Sequence, residues 1–114
     1  MKLGNGKRIF LALGITDMRK AINGLSVLVS EDLDGELLGG DLFVFSNRNR
    51  SIVKILYWDR NGFCLWQKRL EKHRFKWPKN EAECLEIGER ELGWLLDGLD
   101  IQAAHERLSY TTVT

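Results

Sequence analysis

The first apolar run, Arg8-Ile9-Phe10-Leu11-Ala12-Leu13, is ended by Gly14 and predicts a strand. Thr16 and Asp17 then each offer a side-chain oxygen that caps a helix. Met18, Ile22, Leu25 and Val29 recur at spacings of four, three and four, with Ala21 and Leu28 alongside. That stripe predicts an amphipathic helix over residues 17–31, with Arg19, Lys20 and Asn23 off the stripe. Residues 32–41 hold three glycines and four acidic residues and read as a loop.

Three strand-like segments follow. Leu42-Phe43-Val44-Phe45 is wholly apolar, residues 52–58 are rich in branched and aromatic side chains, and residues 63–70 follow Asp59-Arg60-Asn61-Gly62. Asn-Gly ahead of an aromatic strand signals a hairpin, because both residues tolerate positive φ. The polar link over residues 46–51 reads as a second hairpin turn. Phe75-Lys76-Trp77 is a candidate short strand stopped by Pro78, and Leu85-Glu86-Ile87 is another. Leu92, Leu95, Leu96 and Leu99 mark a second amphipathic helix over residues 89–98. Glu89 and Glu91 suit the positive end of its dipole, and Gly98 is placed as its stop. Beyond Asp100 no period is strong, and residues 109–114 read as a frayed tail.

Strands outnumber helices and several are joined by short turns. The expected fold is therefore α+β: a mostly antiparallel sheet of about five short strands with two amphipathic helices, in one domain spanning residues 1–114. The middle strands are apolar on both faces. One helix covers one face, and the second helix or another copy of the chain is needed for the other.

Composition adds little to this until it is resolved along the chain. With 44% hydrophobic and 29% charged residues, the sequence has the balance of a folded globular protein. It holds no apolar run long enough for a membrane span, and Met1 to Asn5 show no signal-peptide pattern, so a cytoplasmic location is expected. Cys64 and Cys84 sit among apolar residues without metal-ligand spacing and read as buried free thiols.

The net charge of +1 conceals a strong asymmetry. Residues 1–45 carry −1, residues 46–79 carry +8, and residues 80–114 carry −6. A basic middle of this kind suits phosphate or an acidic partner. Arg48, Arg50, Lys54, Lys68, Arg69, Lys72, Arg74 and Lys76 are spread over strands and turns that should be neighbours. Strand pairing brings Lys54 and Lys68 within a sheet's reach of each other. Tyr57, Trp58, Trp66, Phe75 and Trp77 interleave with these cations, and basic residues plus aromatics can track a nucleic-acid backbone and stack bases. Strand aromatics are also ordinary core, and strand lysines ordinary solubilising groups. Arg19 and Lys20, placed in a first helical turn that disfavours cations, are outlying candidates for an acidic or phosphate partner.

A catalytic reading is weaker. His73 lies in the charged stretch Lys72-His73-Arg74 and His105 in the weakly patterned tail. The pairs Asp32/Asp34 and Glu89/Glu91 are explained by solvation or capping, and Gly35-Glu36-Leu37-Leu38-Gly39-Gly40 lacks the Gly-Lys-Ser/Thr ending of a phosphate loop. No cofactor or metal site is expected.

Several pieces of the sequence occur together in a characteristic order. They are Thr16-Asp17-Met18-Arg19-Lys20, Gly24-Leu25, Leu42-Phe43-Val44-Phe45, Lys54-Ile55-Leu56-Tyr57-Trp58-Asp59, Asn61-Gly62, Lys68-Arg69-Leu70-Glu71 and Phe75-Lys76-Trp77-Pro78. In this order and spacing, from about Ile9 to Leu99, the chain closely resembles the TnpB-type accessory proteins of the IS-sixty-six group of bacterial insertion sequences. Leu95-Leu96-Asp97-Gly98-Leu99-Asp100 is similar to the family's ending, whereas Gly88 stands where the family usually has a hydroxyl or similar cap. The resemblance implies a small protein encoded beside a DDE-type transposase and needed for efficient transposition, with no catalytic residues to carry over. Element-end DNA, bound through the ten cations named above, is the expected partner. The transposase, another accessory protein or a second copy of the chain are further candidates, and docking on protein without DNA contact is the alternative.

Overall fold

The computed structural model describes residues 7–33 and 36–102. In chain order they form β1 (Ile9–Ala12), α1 (Ile22–Asp32), a 3-10 turn (Leu37–Gly39), β2 (Leu42–Ser46), β3 (Ile52–Asp59), β4 (Gly62–Arg69), β5 (Cys84–Ile87) and α2 (Glu89–Leu96). The five strands make one sheet in the order β4-β3-β2-β1-β5. Only β1 and β2 run parallel, and the crossover between them carries α1; every other pairing is antiparallel. This is the expected α+β arrangement.

The two faces of the sheet carry separate cores. Phe10, Phe43, Phe45 and Leu56 meet Leu25 and Val29 of α1, with the Phe10 and Phe43 rings stacked at 5.7 Å. On the other face Leu11, Val44, Val53 and Ile55 meet Leu92 and Leu95 of α2. Phe75, Trp77 and Ile101 complete that second layer. The middle strands are therefore covered on both faces within one chain, with no second copy required there. Cys64 and Cys84 are free thiols, half-buried rather than fully buried.

Local hydrogen bonding departs from the sequence pattern in three places. Helix α1 begins at Ile22, five residues later than the apolar stripe predicts, because the Thr16–Lys20 stretch spends its backbone groups elsewhere. Thr16 N–H donates to Ser46 O at 2.9 Å, and Asp17 takes the Arg19 amide at 2.9 Å instead of capping the helix. Phe75-Lys76-Trp77 is not a strand: Phe75 N–H donates to Arg50 O, Trp77 N–H donates back to Phe75 O, and both rings turn into the core.

The β3–β4 hairpin closes at Asp59 and Gly62 as expected, but by a different route. Positive φ falls on Arg60, at 57°, and not on Asn61 or Gly62. Helix α2 ends in a Schellman motif: Leu99 N–H reaches Trp94 O, Gly98 N–H reaches Leu95 O, and Gly98 takes φ 84°. At its start Gly88 has no side chain to cap with, and Glu91 alone reaches back to the Gly88 amide at 3.0 Å. The tail at residues 109–114 lies outside the described residues.

Candidate nucleic-acid interface

The β2–β3 turn is organised by one asparagine. Asn47 Oδ1 accepts from the amides of Ser51 (2.9 Å) and Ile52 (3.1 Å), and Asn47 O accepts from Arg50 N–H at 3.1 Å. The chain leaving β4 then folds back against this turn. Leu70 N–H donates to Ser51 O and Phe75 N–H to Arg50 O, each at 2.8 Å. The Arg74 guanidinium donates to Asn49 O, also at 2.8 Å. Three bonds thus fix the 70–75 segment to the turn, and Arg48, Arg69, Lys72, Arg74 and Lys76 emerge exposed at one end of the sheet. His73 is exposed among them. Arg69 is paired with Glu71 at 3.1 Å, both side chains facing solvent, so the pair is weak and readily exchanged.

Arg50 is built into this end rather than displayed on it. Its backbone is left-handed (φ 54°), and its guanidinium donates to Leu13 O at 3.1 Å and Gly14 O at 3.3 Å. It lies over the Trp77 ring at 5.1 Å, and burial pushes its pKa below the usual arginine value. Trp77 in turn donates Nε1–H to Ala12 O at 3.0 Å. Beside this stack an open groove of about 700 Å³ is bordered by Arg50, Lys76, Lys79, Trp77 and Asp100. Lys79 was not singled out from the sequence, although its place directly after Pro78 continues the basic run. Asparagine opening a polar link is itself a turn signal, which Asn47 carries.

Two of the expected cations turn inward. Lys54 pairs with Gln67 and Lys68 with Val53, so the two lysines lie on opposite faces of the sheet and not within reach of each other. Lys54 is buried, its ammonium donating to Met18 O (2.8 Å) and Lys20 O (3.0 Å). Lys68 donates to Leu96 O at 2.7 Å, satisfying a terminal carbonyl of α2 and meeting the negative end of its dipole. Their hydrogen bonds bind the fold together.

Arg19 and Lys20 precede α1 instead of sitting in its first turn. Both are exposed, and the Thr16 bond to Ser46 holds their loop at the end of β2, the same end that carries the basic turn. Arg19 forms a forked ion pair with Asp17, at 2.7 Å for the closer contact. Those hydrogen bonds hold the Asp17 carboxyl at a pKa of about 2.

The aromatics do not form a stacking surface at this end. Phe75 and Trp77 are core, Tyr57 and Trp66 lean against the α2 layer, and Trp58 packs edge-on to Phe63 at 5.0 Å. Burial raises the Tyr57 pKa, with Cys64 beside it adding to the shift. Acidic side chains collect at the other edge of the sheet: Glu81, Glu83 and Glu89 are exposed near β5, and Glu86 pairs with Arg8 at 2.8 Å, which lowers its pKa. Among the described residues no group of three His, Cys, Asp or Glu side chains is placed to hold a metal, and no helix is long and apolar enough to cross a membrane.

Known proteins give this geometry a context. Uncharacterized protein y4hO of Sinorhizobium fredii is 38% identical over 110 residues, covering 96% of each chain. Uncharacterized protein y4jC of the same organism is 35% identical over 95 residues, covering 83% of this chain and 81% of its own. No solved structure matches. The family profile described as IS66 Orf2 like protein matches residues 7–106, and the chain therefore belongs to the IS66 Orf2-like family of insertion-sequence accessory proteins.

Proposed function

We propose that this accessory protein is non-enzymatic and grips the phosphate backbone of DNA, at the ends of its element, with the basic end of the sheet. The observation that carries this reading is the docking of the 70–75 segment on the β2–β3 turn through Leu70, Arg74 and Phe75. That docking gathers Arg48, Arg69, Lys72, Arg74 and Lys76, which are exposed and come from separate stretches of chain. Lys79, on the groove beside them, is a further exposed cation of this surface, with Arg19 and Lys20 as outlying candidates and Arg50 serving mainly to hold the end together. Lys54 and Lys68 act through the fold and not on phosphate.

Phosphate contact of this kind carries no sequence information, and the cations named here lie on turns and strand ends rather than on a helix, so discrimination between DNA sequences is expected to be slight. The test is titration of element-end DNA at two salt concentrations, with wild type against Arg48→Glu/Lys72→Glu/Lys76→Glu. Each phosphate contact contributes about 0.9 to the slope of log affinity against log salt, so the triple variant should lose both affinity and slope. No binding at low salt, or binding indifferent to the three substitutions, rejects the proposal. In that case the protein-docking reading, favoured by the exposed acidic residues around β5, is examined by co-purification with the transposase after nuclease treatment.

A further inference from the structure

We propose that the outer edge of β4 is a self-association surface, on which β4 of a second copy pairs antiparallel to make a continuous ten-stranded sheet. Strand β4 is terminal in the sheet and eight residues long. The two-residue turn makes Asp59 and Gly62 the closing hydrogen-bonded pair, and the Leu70 to Ser51 bond keeps the same alternation at the far end. Phe63, Leu65, Gln67 and Arg69 therefore point their N–H and C=O groups outward, where no backbone partner meets them among the described residues.

Sheet edges are normally blunted by short length, proline, a bulge or a central charge. The opposite edge follows that rule: β5 has four residues and bears Glu86. Strand β4 has none of these at its centre. Its register with β3 is unbroken, it contains no proline, and Phe63, Cys64, Leu65 and Trp66 are apolar and only half-buried. Both cations, Lys68 and Arg69, stand at one end.

That uneven charge is what selects a second copy as occupant. A two-fold axis through the sheet keeps each side chain on its own face, so residues pair only in registers whose numbers sum to an even value. With the axis at Leu65, Phe63 faces Gln67 of the partner subunit and Lys68 faces Gly62 of the partner subunit. No cation then meets a cation, and the apolar centres coincide. Gly62 adds no side chain at that position, so the Lys68 ammonium keeps its bond to Leu96 O.

The experiment measures mass by sedimentation on nuclease-treated protein over a range of concentrations. Wild type should reach twice the monomer mass. Gln67→Pro removes one outward N–H while leaving the β3 ladder intact, and should return the protein to monomer with a folded circular-dichroism spectrum. Independently, Leu65→Cys in a Cys64→Ser/Cys84→Ser background should form a cross-linked dimer on mild oxidation, which does not depend on Gln67→Pro folding. A wild type that stays monomeric, a dimer that survives Gln67→Pro, or a Leu65→Cys variant that does not cross-link overturns the proposal. DNA binding is absent from all three readouts, so the outcome is separate from that of the phosphate-contact reading.

Discussion

The ammonium of Lys54 donates one hydrogen bond to the carbonyl oxygen of Met18, at 2.8 Å, and a second to that of Lys20. A lysine in the middle of a buried strand is tolerated because two carbonyls of the loop preceding α1 solvate its charge. The loop in turn keeps its non-helical shape because those carbonyls are spoken for. Sequence, packing and local conformation are linked through one side chain.

Replacing Lys54 with methionine keeps the stem and deletes both bonds, leaving two carbonyls under-satisfied. The expected loss is about 1–3 kcal/mol in chemical denaturation. Lys68→Met removes the cap on Leu96 O and should cost about 1 kcal/mol. Neither change should weaken DNA binding of the folded protein at low salt, whereas Lys72→Glu and Lys76→Glu should. The opposite pattern would return Lys54 and Lys68 to the phosphate-binding set.

At the tip of the β3–β4 hairpin, Arg60 occupies left-handed backbone (φ 57°), and Asn61 N–H folds back to Asp59 O. An arginine there is strained relative to glycine. Arg60→Gly should therefore raise stability by up to about 1 kcal/mol, and Arg60→Val should lower it by more than 1 kcal/mol. Urea midpoints of the three proteins decide the matter, with equal midpoints counting against strain at this turn.

This turn also shows what the amino-acid pattern conveys and what it does not. Alternation and the Asn-Gly pair place the hairpin correctly between Asp59 and Gly62, yet which residue absorbs the positive φ depends on how the two strands align. The apolar stripe of α1 is real from Ile22 onward; Met18 shares its spacing because it packs on the same core from outside the helix. The basic middle was visible as a charge run. Its division into Arg48, Arg69, Lys72, Arg74 and Lys76 outside and Lys54 and Lys68 inside rests on strand register and on carbonyls distant in sequence, which spacing does not encode. Phe75-Lys76-Trp77 alternates like a strand, but its amide partner is Arg50 O in a turn.

The two ends of α2 respond to substitution in opposite directions. Gly98 holds φ 84° in the Schellman motif, and Gly98→Ala forces a side chain into that conformation for a loss of about 1 kcal/mol. Gly88 has ordinary extended backbone (φ −88°), and a Cβ there meets only Glu91 Oε1 at 3.6 Å. Gly88→Ser supplies the missing half of the capping box and restricts the unfolded chain, for a gain of about 0.5–1 kcal/mol. Thermal melts of the two variants should move to opposite sides of wild type.

The Asp17–Arg19 fork predicts an acid dependence whose sign is set by the carboxylate. Its pKa falls from 3.8 to about 2 on folding, principally because the Arg19 side chain hydrogen-bonds the ionised form. A group with a depressed folded pKa stabilises the native state above its unfolded value, and that contribution fades as pH falls through the folded one. Wild type and Asp17→Asn should therefore differ in stability by a constant amount above pH 4, and the difference should shrink between pH 4 and pH 2. Because the pair faces solvent, added salt should narrow the gap at neutral pH as well. Denaturant titrations of both proteins across this pH range provide the check, and a difference that widens toward acid would show that Asp17 is not held ionised by Arg19.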